Sequence, residues 1–274
     1  MRSLLLIIIM LVYLVAPCLA QEDTMSQQVY RVPVKYELPA SVLFLSGSYF
    51  GFRELDRMAS ATADDIKALN PDHLNAFDRP VAFMNPKYFD GAQKTSDLLL
   101  NVAVLSPLVL ALDKQVRKDW LQLTTMFLVT HSVDNALYFA ASYSIRRSRP
   151  LTYNPDLPLE KKVGDAKTNS FFSGHVSFSA TSTFFAAKVY TDYHHIKGGK
   201  RLLIYTAAAI PPLAVGYYRM RAGKHFRTDV AVGFLVGAAT GILVPELHRR
   251  KGRHLSVDPL YINGYSGLTL NVGL

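Results

Sequence analysis

The chain has a single cysteine, Cys18, among 274 residues, which leaves no disulfide scaffold and no thiolate zinc cluster. Charge is also scarce. Asp, Glu, Lys and Arg make up 19% of the chain against 50% hydrophobic residues, and mean hydropathy is +0.13, so a disordered or low-complexity tail is excluded. Acidic residues number 21 against 30 basic ones, and the resulting net charge of +9 points to an anionic partner: a nucleic acid, a membrane surface or an acidic substrate. The basic residues gather at the ends of apolar stretches and form no continuous patch, which disfavours nucleic acid. No internal repeat and no separate carboxylate-histidine metal cluster is visible.

Apolar runs are what the chain does have. Residues 1–20, MRSLLLIIIMLVYLVAPCLA, combine Arg2, an apolar stretch from Leu4 to Val15 and a small residue at Ala20, the pattern of a secretory signal. The run is long enough to serve equally as an uncleaved first transmembrane helix. Pro17 before Cys18 disfavours lipoprotein processing. Residues 21–94 read as an N-terminal periplasmic or interfacial region, in which Leu38–Phe52 is apolar but too short to favour a span. Residues 95–247 form the core. Leu98–Leu112, Trp120–Tyr143, Val176–Tyr190, Leu202–Tyr218 and Val230–Leu247 are all too long for strands and predict helices. Residues 248–274 are a basic tail whose alternating end, around Asn263-Gly264, is compatible with a small hairpin.

The fold class is therefore all-α, either five or six transmembrane helices or a helical periplasmic globule. Lys114, Arg117 and Lys118, then Lys197, Lys200 and Arg201, then Arg249 to Arg253 fall on one side of an alternating topology, as the positive-inside rule expects of the cytoplasm. With Leu4–Leu19 as the first crossing, six helices close the topology with both ends in the cytoplasm. Counting Leu38–Phe52 as a span inverts everything after it.

Three polar stretches interrupt the apolar pattern on the opposite side: IRRSRP (145–150), NSFFSGH (169–175) and YRMRAGKHFRTD (218–229). His225 and Asp229, four apart, share a face if helical, so the carboxylate could hold one ring nitrogen and leave the other as base or nucleophile. Arg219 lies six residues earlier. Ser173 and Gly174 precede a helix whose first N–H groups make an anion site, with His175 at its lip as a proton donor. Arg149 adds a second guanidinium fork. Taken singly, each of these features is more often a surface pair or a helix cap; together on one face they suit phosphoryl transfer through histidine. His131, with Asp134 and Asn135, reads as a satisfied buried polar group or as a residue that supports the site from behind, and His194–His195 as surface.

These stretches resemble the three signature motifs of the type 2 phosphatidic acid phosphatase (PAP2) superfamily. Arg149-Pro150 matches the end of the first, Ser173-Gly174-His175 the second, and Arg219, His225 and Asp229 the third with its spacing. Ser142 stands where the first motif has lysine, Phe172 replaces a proline and Tyr218 a serine. If the turn after Tyr143 stays helical, Arg146 shares a face with Arg149 and becomes the substitute cation, while Arg147 points away.

The resemblance implies a metal-independent phosphatase without cofactor. In that reading His225 is the nucleophile, Asp229 orients its ring, and His175 is the acid and then the base. Arg149, Arg219, Ser173, Gly174 and Arg146 hold the phosphate. The implied substrate is a lipid phosphate or diphosphate in a bilayer, hydrolysed at a bacterial inner membrane with the site facing the periplasm. A soluble periplasmic acid phosphatase, or a non-catalytic lipid-phosphate binding or transport protein, are the alternatives. The sequence leaves oligomeric state open.

Overall fold

In the computed structural model, residues 28–250, 256–262 and 265–271 are described; the leader expectation for residues 1–20 lies outside them. Six long helices dominate: α1 Val34–Met58, α2 Phe89–Leu105, α3 Trp120–Ser144, α4 Gly174–Tyr193, α5 Gly198–Arg221 and α6 Arg227–His248. The five predicted core helices are all present. The boundary drawn at residue 95 falls inside α2. A 3₁₀ segment, Ser106–Leu112, continues α2, and strands β1 (Ser256–Ile262) and β2 (Tyr265–Asn271) form an antiparallel hairpin in the tail.

The longest departure from expectation is α1. Its apolar stretch is short, but flanking residues keep the helix going from Val34 to Met58, and Val42, Leu43, Phe44, Tyr49 and Phe50 are left exposed along it. At 1.5 Å per residue a helix of this kind is about as long as a bilayer core is thick. Among the described residues, two stretches are long and apolar enough to cross a membrane by composition alone, Pro86–Leu112 and Arg227–His248. The other helices fall short for a physical reason most visible in α4. That helix is buried along nearly its whole length, so Ser177, Ser179, Thr181, Ser182 and Thr183 meet protein and need not be apolar.

Helix α6 lies closely against α4. A Cβ on Gly233 would stand 2.5 Å from the Ser173 carbonyl oxygen and one on Gly241 2.6 Å from that of Thr181, with Gly237 tighter still against Ser177. On its other side α4 meets α3, where Asp134 accepts hydrogen bonds from Ser177 (2.5 Å) and Thr181 (2.8 Å), and His131 pairs with Ser182 at 2.9 Å. The sequence reading of His131, Asp134 and Asn135 as internal polar structure agrees with this packing.

Contacts at the helix ends show that consecutive long helices alternate in direction. The C-termini of α1, α3 and α5 and the N-termini of α2, α4 and α6 gather at one end. At the other end the chain closes on itself: Tyr30 bridges Arg249, Arg31 N–H donates to the His248 carbonyl at 2.8 Å, and Arg250 N–H donates to that of Val29 at 3.0 Å. Beneath this seam Lys188 is fully buried between Asp192 and Glu246, and Tyr30 Oη donates to Asp192 at 2.8 Å.

Candidate active site

The turn between α5 and α6 sets the position of His225. Helix α5 ends at Arg221, and Gly223 at φ +65° reverses the chain in the left-handed conformation that suits glycine. A side chain there would also press on Phe89 and Leu151. The reversal carries His225 inward until 2% of it is exposed. Its Nδ1 lies 2.7 Å from the Ser170 carbonyl oxygen. A carbonyl can only accept, so Nδ1 carries the hydrogen and neutral His225 presents Nε2 as a bare lone pair. Burial, then the neighbouring Arg219 and Arg149, hold this imidazole well below its ordinary pKa, so the neutral form prevails.

Asp229 is not the ring's partner, which corrects the expectation drawn from the i, i+4 spacing. Helix α6 begins at Arg227, so His225 precedes it and the two residues do not share a helical face. The buried Asp229 carboxylate instead accepts from Phe226 N–H at 2.8 Å, closing the first turn of α6, and from Ser170 Oγ at 2.6 Å. It also pairs with Arg147. Asp229 thus reaches His225 through Ser170, whose carbonyl holds the ring.

The arginines differ just as much from expectation. Helix α3 stops at Ser144, and Ile145 is extended. Arg147 bridges Asn169 in a strand-like pairing, and its N–H donates to the Thr168 carbonyl at 2.9 Å. With a period of two, Arg147 and Arg149 turn inward and Arg146 turns out to solvent. Arg146 therefore does not share a face with Arg149. Arg147 donates to Asp78 and to Thr228 Oγ1, both at 2.7 Å, and lies 4.4 Å from the centroid of the Phe226 ring. Asp78 in turn accepts from Thr228 N–H at 3.0 Å.

Arg149 is 8% exposed and donates from Nε to Asn169 at 3.1 Å, while Asn169 donates to Asp56 of α1 at 3.0 Å. Arg219 donates from Nη1 to Gln93 at 2.9 Å and stands 3.7 Å from Asp97. Two buried polar atoms here have no partner among the described residues, Arg219 Nε and Ser173 Oγ. The first N–H groups of α4, beginning at Gly174, also lack acceptors within their helix. His175, in that first turn, donates from Nε2 to Asp97 at 2.9 Å. Phe172 packs edge-on against Tyr138, ring centroids 5.6 Å apart, and closes the wall behind Gly174.

The structure thus gathers His225, His175, Arg149, Arg219, Ser173 and Gly174 at one end of the bundle, with Asp229 one contact removed and Arg146 outside. An anion placed there would meet two guanidinium groups, an unsatisfied hydroxyl and a helix N-terminus, in a low-dielectric setting that strengthens each contact. Sequence reading missed Asp56, Asp78 and Gln93, which arrive from residues before the motif-bearing core, and Asp97, just inside its first boundary. It also missed Asn169 and Ser170, although both lie in the NSFFSGH stretch. Among the described residues, no three of His, Cys, Asp and Glu converge as a metal-binding group.

Residues 119–253 match the PAP2 superfamily. The chain is also similar to the transmembrane PAP2 type phosphatidylglycerolphosphate phosphatase from Bacillus subtilis, at 19% identity over 78% of this chain and 94% of that one, with a TM-score of 0.39. No curated protein matches it.

Proposed function

Residues 119–253 are a PAP2 superfamily domain, that of a phosphatase of this type, and from that premise we propose that the protein hydrolyses a lipid phosphate through a phosphohistidine intermediate. The observation that carries the reading is the buried His225, its Nδ1 committed to Ser170, beside Arg219 Nε and Ser173 Oγ, buried donors with no partner among the described residues, and the free N–H groups at the start of α4.

In the first step His225 Nε2 attacks phosphorus. The bond from phosphorus to the leaving oxygen breaks, and that oxygen takes the Nδ1 proton of a protonated His175, whose Nε2–H stays on Asp97. Arg149, Arg219, Ser173 and the start of α4 stabilise the charge on the transferring oxygens. In the second step His175 accepts a proton from water as the water attacks phosphorus. The nitrogen–phosphorus bond breaks, inorganic phosphate leaves and neutral His225 is restored. Asp229 and Arg147 hold the Ser170 carbonyl and the turn beneath the ring, and Asp97 holds His175.

A lipid substrate is supported by the apolar side chains left exposed along the helices, such as Leu43 on α1, Leu203 and Ile210 on α5, and Leu235, Leu243 and Leu247 on α6. An apolar groove between α5 and α6 adds to this. It is lined by Leu213, Met220, Val230 and Phe234, with Phe77 and Arg227 beside them, next in sequence to Arg219 and Asp229. The candidates are phosphatidylglycerol phosphate, phosphatidic acid, undecaprenyl diphosphate and a phosphate of lipid A. The site faces the periplasm in this reading, because the links at the opposite end carry Lys114, Arg117, Lys118, Lys197, Lys200 and Arg201.

The test is phosphate release by detergent-purified protein from each of these lipids and from a soluble monoester, with trapping of labelled phosphate on the enzyme. His225→Ala should lower turnover by about three orders of magnitude or more and abolish trapping. Normal turnover by that variant, or label on His175, sinks the mechanism. Preference for soluble monoesters together with extraction by salt alone would favour the soluble acid phosphatase.

A further inference from the structure

Lys224 lies between Gly223 and His225, and the backbone that aims the imidazole also aims this lysine. Its N–H donates to the Arg219 carbonyl at 3.1 Å, and its own carbonyl accepts from Ser170 Oγ at 3.4 Å. The side chain is half-buried and makes no hydrogen bond or ion pair among the described residues. That is costly, because an ammonium leaving water normally finds a carboxylate or a carbonyl. Around it stand Arg149, Arg219 and Lys167, with Asp97 as the opposing charge, and Asp97 is already engaged by His175 and Arg219. Burial first, and then repulsion from Arg149 and Arg219, bring the Lys224 pKa down to about 8. Lys167, the other lysine in this field, differs in one respect: its Nζ donates to the Lys161 carbonyl at 2.9 Å and is satisfied.

We propose that Lys224 is a third phosphate-contacting cation of the site, donating its ammonium hydrogens to the transferring phosphoryl group beside Arg149 and Arg219. The proposal rests on the phosphatase reading of the same site. It also supplies the charge absent at Ser142, whose hydroxyl is occupied with the Phe171 carbonyl at 3.3 Å. A phosphate dianion among these three cations would relieve their mutual repulsion, so Lys224 is unfavourable to the free protein and favourable to the complex. Its position next to the nucleophile means that one tight turn delivers both the attacking nitrogen and a compensating charge.

The experiment uses the full chain in detergent, with a soluble phosphate monoester as substrate and orthovanadate as the anion probe. Four proteins are compared: the unaltered chain, Lys224→Met, Lys224→Arg and Lys167→Met. Lys224→Met should lower kcat/KM and weaken vanadate inhibition, each by about 10- to 100-fold, the range expected for one charge-assisted contact. Lys224→Arg should stay within about fivefold and Lys167→Met within about threefold of the unaltered chain. Thermal unfolding provides a second readout. Without anion, Lys224→Met should unfold no earlier than the unaltered chain, and it should lose most of the upward shift that vanadate confers. Unchanged vanadate inhibition in Lys224→Met, equal losses in the Met and Arg variants, or earlier unfolding of Lys224→Met without anion would each overturn the proposal. Absence of vanadate-sensitive phosphate release from the unaltered chain would instead overturn the phosphatase reading itself.

Discussion

Arg146 and Arg147 are one peptide unit apart and face opposite ways, so their replacement separates charge in general from charge in place. Arg147 is held by two fully buried carboxylates, Asp78 and Asp229, and removing it leaves both without their cation. Breaking such a pair costs about 3–5 kcal/mol when both partners are enclosed, and the partial exposure of Arg147 places the expected loss toward the lower end of that range. Arg147→Ala should therefore lower thermal stability and, through Ser170, activity, whereas Arg146→Ala should stay within about 0.5 kcal/mol of the parent. Chemical denaturation of the two purified variants measures this directly; equal stability would mean that the Asp78–Arg147–Asp229 network is not maintained in solution. The sequence could identify arginines close to Arg149 but could not orient them. Orientation turns on where α3 stops, and the extended backbone after Ser144 is fixed by pairing with residues 168–170, a tertiary contact that no local pattern encodes.

Among the elements, the contact between α4 and α6 is the one that brings the two histidine-bearing segments together. Gly233, Gly237 and Gly241 recur every four residues and present one bare strip of helix to Ser173, Ser177 and Thr181. The strip starts beside Ser173, so separating the helices there also spoils the proposed anion cradle. Gly237→Ala should destabilise the protein by about 1–3 kcal/mol, the usual cost of overpacking, and lower kcat/KM although no site residue is substituted. A Gly47→Ala control, at a helical position with open space around it, should be near neutral. Parity between the two variants would show that α6 can slide without consequence. Helix existence was readable at this scale because α3, α4, α5 and α6 are long apolar runs between basic links. The full length of α1 was not, since VKYE at one end and RELDRM at the other look like surface until Asp56 is seen supporting Asn169. Asp97 was hidden for a similar reason: it gains a role only when α2 packs against the ends of α4 and α5.

At the scale of the whole molecule, α1 alters the crossing count. If all six long helices cross the bilayer with the basic far-end links in the cytoplasm, residue 28 is cytoplasmic too. A cleaved secretory signal ending at Ala20 would instead leave the following residues outside. The two sequence expectations, a secretory leader and a periplasmic site, therefore conflict once α1 is a span. Single cysteines in a Cys18→Ser background decide between them. Lys161→Cys at the site end should react with a membrane-impermeant maleimide on intact spheroplasts, and Lys197→Cys at the far end only after lysis. The reverse pattern would turn the site toward the cytoplasm and restore the secretory reading of the leader.

The far-end seam also orders events in time. Tyr30 and Arg249 are joined across nearly the whole chain, and Tyr30 shares Asp192 with Lys188. Contacts this distant in sequence form late, because the entropy of closing the loop between them is spent before they return anything. During synthesis α1 emerges first yet cannot complete its far-end contacts until α6 has followed. The α4 residues to which we assign the anion likewise precede His225, the proposed nucleophile, which arrives only with the last turn and helix. Under the proposed mechanism, hydrolysis therefore waits for the last helix and begins only when the ends of the bundle meet.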